Sequence, residues 1–280
     1  MNMMLMVGIM VLFFFTSMVL MCLYRYRMDP KIWNVAFIIA DIVVYFCWNL
    51  AGFERGMLDS GWMTFENISP FVCTLIPLTV FLNDKVREYA YAALSNLTVG
   101  LFLALMISPE HAYLFSFNIE ANFIYTSEAA CHLVAALFGM FLVLSGQVKP
   151  DFKSWVRSIV FWFSVIGFGV FINYVFHKTY FGMDPYGSSS IYMIDLFGSH
   201  EATLLAYLAG VVLVLTIGMQ CMRLLDVATE MFIPESLRGK RADEKINDRE
   251  EGTEGIKETE EIVTVSASRA EYDNDIDDSK

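Results

Sequence analysis

Three residues carry most of the chemistry in an otherwise apolar sequence: Cys73, Glu128 and His132. A thiol is a nucleophile once its proton is gone, and an imidazole is suited to take that proton. Glu128 precedes His132 by four residues, so on a helix the two share a face. A carboxylate there would orient the imidazole as the third member of a triad. These three types together suit acyl transfer. Cys73 would attack an acyl carbonyl, and His132 would then activate an acceptor hydroxyl or water to release the acyl group. Asn173, followed by Tyr174, would donate to the developing oxyanion.

The setting of these residues makes their placement a question of depth. The chain of 280 residues is 56% hydrophobic and only 18% charged, against roughly 25% charged in ordinary soluble chains. Net charge is −12, which excludes the basic face of a nucleic-acid binder. Residues 227–280 hold 16 Asp+Glu against 8 Lys+Arg. The sequence therefore predicts an apolar domain over 1–226 and an acidic tail over 227–280. With little to bury, that tail is expected to be disordered.

Seven apolar runs approach the ~20 residues that a hydrocarbon core requires. They cover 3–23, 33–52, 69–83, 89–107, 124–146, 157–177 and 201–222. The fold class expected is all-α, a polytopic bundle of seven transmembrane helices. The third run is short. Ser69-Pro70 reads as its N-cap and first helical position, and Pro77 should kink it. Lys and Arg alternate by loop. Arg25, Arg27 and Lys31, then Lys85 and Arg87, then Lys149, Lys153 and Arg157, then Arg223 mark one side. Arg55 and Lys178 are sparse on the other. The positive-inside rule then puts the N-terminus outside and the C-terminus inside the cell membrane. The first run lacks a basic n-region and an A-x-A site, so it reads as an uncleaved span.

At 1.5 Å per residue, Cys73 lies ~6 Å and His132 ~12 Å below the outer ends of their runs. Glu128 sits one turn above His132, and Asn173 and Tyr174 near the outer end of the sixth run. Asp41 is nearer the middle. An ionisable group in hydrocarbon costs at least ~2.5–3.5 kcal/mol, which marks Asp41, Glu128 and His132 for function. Cys131 neighbours His132 but points about 100° away and reads as packing. His111, His177 and His200 fall in outer loops or at helix ends.

The order of these features resembles the YwaF-like integral membrane proteins and their relatives, the transmembrane protein 164 family. The matching stretches are Pro70-Phe71-Val72-Cys73, His132 two spans later, Lys149-Pro150-x-x-Lys153, and Asn173-Tyr174 before a polar loop and a last span. The likeness covers most of residues 30–222. It implies an intramembrane glycerophospholipid acyltransferase or lipid hydrolase, with Cys73 as nucleophile and His132 as general base. Membrane lipids would be the partners. Neither a metal nor another cofactor is implied, since there is no Gly-rich phosphate loop and no His-rich cluster. Two other functions use the same residues differently. A transporter or permease would use Asp41, Glu128 and His132 as a proton or solute path. A non-catalytic sensor or scaffold would signal through the acidic tail.

Overall fold

A computed structural model describes residues 2–54, 68–106, 120–176 and 199–232. Among them are seven α-helices: α1 Met3–Tyr24, α2 Pro30–Glu54, α3 Ile68–Leu78, α4 Asp84–Met106, α5 Phe123–Leu144, α6 Phe152–Phe176 and α7 His200–Phe232. The acidic tail beyond Phe232, and His111 and His177, lie outside the described residues.

The helix starts have local causes. Asn2 caps α1, its side-chain oxygen accepting from Met4 N at 2.8 Å. Asn122 caps α5 by accepting from Tyr125 N at 3.0 Å. Pro30 opens α2, where its missing N–H costs nothing.

Among the described residues, six helices are long and apolar enough to cross a membrane. The 22 residues of α1 rise about 33 Å, a full hydrocarbon thickness. The 11 residues of α3 rise about 16 Å, half of one. Its helix ends at Leu78, one residue past Pro77, so the proline terminates it instead of kinking a longer span. Arg87 then secures that end. Its guanidinium donates to the carbonyls of Thr79 at 3.0 Å and Leu82 at 2.6 Å. At the other extreme, α7 runs on to Phe232, six residues past the expected boundary at 226.

The outward faces of the described helices carry many apolar side chains. Leu12, Phe46, Phe168 and Leu213 are each more than half exposed, a pattern that water does not tolerate and lipid does. The protein is a multi-pass membrane protein. Its inner helix is α5, 89% buried over its span against 22% for α1, α2, α6 and α7. Small residues let its neighbours approach. A Cβ on Gly139 would stand 2.7 Å from the Leu94 carbonyl of α4, and one on Gly218 of α7 would collide with the Asn96 carbonyl.

Side-chain contacts fix the helix directions. Arg25, just past α1, pairs with Asp226 of α7 at 2.8 Å. Asn34 of α2 donates to Gln147, just past α5, at 2.8 Å. Arg157 of α6 pairs with Glu88 of α4. At the opposite end, Asn2 and Glu120 form an isolated bridge ahead of α1 and α5. Consecutive helices therefore alternate in direction. Every Lys and Arg among the described residues falls at the end that holds the α1–α2 turn and the start of α6.

Candidate functional site

The helix α3 lies against α2 and α5, and polar side chains gather where they meet. Ser69 and Cys73 are four residues apart and share a face of α3. On α5, Glu128 and His132 share one face, with Cys131 rotated about 100° from His132.

His132 is held at both ring nitrogens. Nδ1 stands 3.0 Å from the main-chain carbonyl of Glu128. A carbonyl can only accept, so Nδ1 carries the proton and Nε2 is left with its lone pair. Nε2 stands 2.7 Å from Oγ of Ser69, whose hydroxyl donates to it. The tautomer follows from these partners. The result is a hydroxyl hydrogen-bonded to a basic nitrogen on a ring fixed by a third group. This is the geometry that activates a serine.

Two details differ from what the sequence suggests. The contact that orients His132 comes from the backbone of Glu128, not from its carboxylate. Ser69 is not a cap; it sits in the first described turn of α3 and gives its hydroxyl to His132. Ser69 is half-buried, whereas His132 is 5% exposed.

Cys73 is one turn further along α3 and meets different neighbours. Its thiol lies against the thiol of Cys131 and beside the carboxylate of Asp41. Cys73 and Cys131 belong to a buried cluster with Trp48, Ala51 and Ile124. Asp41 is fully buried, and neither of its oxygens has a well-aligned hydrogen bond. Tyr45, one turn along α2 from Asp41, borders the same cluster.

The remaining candidates separate. Asn173 is fully buried in α6, while Tyr174 is 70% exposed on the outside of the bundle. Asn49 turns back on its own helix and donates to the Tyr45 carbonyl at 2.8 Å. Asn96 bonds across to Ser158 Oγ at 2.6 Å, joining α4 to α6. Two residues gain weight that the sequence reading gave to others, Ser69 and Cys131. The spacing of Ser69 from Cys73 was the available signal for the first. For Cys131 nothing in the sequence marks its partner.

Compared with known protein families, curated proteins and solved structures, the chain matches none.

Proposed function

We propose that the protein is an intramembrane acyl-transfer enzyme acting on ester-linked acyl chains of membrane lipids. Ser69 is its nucleophile and His132 its general base. The observation that carries this reading is the 2.7 Å contact from Ser69 Oγ to His132 Nε2, with Nδ1 held by the Glu128 carbonyl. The family resemblance points to the same chemistry with Cys73 as nucleophile. The hydrogen bond to the base favours Ser69 on the same helix face.

The mechanism has two halves. Ser69 Oγ attacks the ester carbonyl as its proton moves to Nε2 of His132. The tetrahedral intermediate collapses to a Ser69 acyl ester, and His132 returns the proton to the departing lipid alkoxide. A lysolipid hydroxyl or water then enters, gives its proton to Nε2 and attacks the acyl ester. Release regenerates the Ser69 hydroxyl. Whether the enzyme is a transferase or a hydrolase depends on which acceptor reaches the acyl ester.

The direction of the site follows from charge. Lys and Arg of the described residues gather at one end, which the positive-inside rule assigns to the cytoplasm. The N-terminus is then outside, the chain crosses seven times with α3 as the short crossing, and His132 lies in the outer half of the bilayer. The membrane proposed is the cell membrane.

The test is labelling of the purified chain in lipid nanodiscs with a lipid-tailed fluorophosphonate, alongside hydrolysis of a fluorogenic phospholipid. Labelling should map to Ser69 by mass spectrometry and be lost in Ser69→Ala and His132→Ala. It should persist in Cys73→Ala. Labelling and hydrolysis that survive Ser69→Ala would overturn the assignment of the nucleophile.

A further inference from the structure

The acyl chemistry leaves a second cluster unused. Cys73 of α3 and Cys131 of α5 are free thiols, 2% and 0% exposed, that lie against each other. Packing alone accounts for two small side chains, but not for the third member. Asp41 of α2 is completely buried with the Cys73 thiol beside its carboxylate, and neither oxygen has a well-aligned hydrogen bond. It stands eleven residues into a 25-residue helix, and so near mid-depth. An ionisable group there is expensive unless it is paired or functional. Lys and Arg of the described residues are at the far end of the bundle. The three side chains do not form a metal-binding set among the described residues. What a carboxylate beside a thiol can do is take the thiol's proton.

We propose that Cys73 and Cys131 form a redox-active dithiol that a membrane-soluble quinone oxidises to a disulfide, with Asp41 as the proton acceptor for Cys73. Asp41 takes the Cys73 proton, and the thiolate adds to a quinone ring carbon. Asp41 then protonates the reduced ring oxygen. The Cys131 sulfur attacks Cys73 Sγ, the carbon–sulfur bond breaks, and the ring leaves with its electron pair. The Cys131 proton passes through Asp41 to the ring. Two thiols and one quinone give one disulfide and one hydroquinone, with two electrons and two protons transferred. The cluster lies in the half of the bundle that holds the end of α2 and the start of α5, and α2 presents its other face to lipid, so a membrane-soluble quinone is the oxidant class that the surrounding hydrocarbon carries to this depth.

The experiment uses the full chain, reduced, in lipid nanodiscs and titrated with decylubiquinone. Hydroquinone is read by absorbance and thiols by maleimide labelling after denaturation, with peptide mapping of the linked residues. One hydroquinone should form for each two thiols lost, and the link should map to Cys73 and Cys131. Cys73→Ser and Cys131→Ser should each stop the reaction. Asp41→Asn should slow it about 100-fold and flatten its pH dependence. Thiols that stay reduced, or that are lost at Cys22, Cys47 or Cys221 instead, would overturn the proposal even if the serine variants fold poorly, because the unaltered chain is mapped. Oxidation by hydrogen peroxide but not by decylubiquinone would overturn the quinone. An unchanged rate in Asp41→Asn would overturn the proton role. Fluorophosphonate labelling of Ser69 is a separate readout, so failure here and failure of the acyl chemistry are distinguishable.

Discussion

Ser69 and Cys73 share one face of α3 yet meet different residues of α5: Ser69 reaches His132, and Cys73 reaches Cys131. The cause is helical geometry. Successive residues on α5 are about 100° apart, so Cys131 and His132 face different parts of α3. A proton acceptor and a thiol partner are thereby presented one turn apart. The two groups of side chains can be altered separately.

Exchanging the hydroxyl for a thiol at the base tests this directly. In a Cys73→Ala background, Ser69→Cys puts a thiol against Nε2 of His132. That thiol should react with a lipid-soluble maleimide at least about tenfold faster than the same thiol in a chain also carrying His132→Ala. Equal rates in the two chains would mean that the imidazole does not act on position 69.

Charge placement gives a prediction about direction. Glu120 and Lys149 are both exposed and lie at opposite ends of α5. A membrane-impermeant maleimide should label Glu120→Cys on intact cells, and Lys149→Cys only after permeabilisation, each measured against the parent chain. The reverse pattern would invert the bundle and put Ser69 and His132 in the cytoplasmic half.

The long spans were legible because membrane helices advertise themselves by apolar length. The rank of α5 was not. Mean hydropathy is 1.8 for α5 against 2.5 for α1, yet α5 is the buried one. Lipid and protein interior are equally apolar, so hydropathy cannot tell a lipid-facing helix from a central one. Gly139 and Gly218 mark close approaches, but which helices approach depends on the tertiary arrangement. The site was half legible. His132 was singled out by its type within an apolar run, and Asp41 by its cost in hydrocarbon. Ser69 was hidden because Ser followed by Pro is also a helix-start signal. Its true partner lies 63 residues away, beyond any local pattern.

Packing at Gly218 predicts a sharp size limit. A side chain at 218 would collide with the Asn96 main chain, and backbone cannot yield as a flexible side chain can. Gly218→Leu should lower stability by about 1–3 kcal/mol, read as a fall in melting temperature in detergent. Asn96→Leu, which removes the hydrogen bonds from Asn96 to the Ser154 carbonyl at 3.3 Å and Ser158 Oγ at 2.6 Å, should cost about 0.6–1.7 kcal/mol for the stronger of the two and less for the longer one. The order of the two effects is the check: a larger loss at Asn96 would mean that the polar link of α4 to α6 holds the bundle more strongly than the close approach of α4 and α7.

The ion pair between the end of α1 and α7 should behave as a coupled unit. Arg25 meets Asp226 at 2.8 Å, with side-chain exposures of 9% and 23%, between the fully exposed and fully buried cases. Arg25→Glu or Asp226→Lys alone leaves two like charges facing each other in a partly desolvated place. Each should cost about 1–3 kcal/mol, intermediate between surface and buried pairs. The double exchange restores opposite charges and should recover most of the loss in melting temperature. Arg25 also reaches the Asp226 main-chain carbonyl at 3.5 Å, a bond that a glutamate cannot make, so recovery should stop short of the parent. Strict additivity of the two single effects would show that α1 and α7 are not held together through this contact.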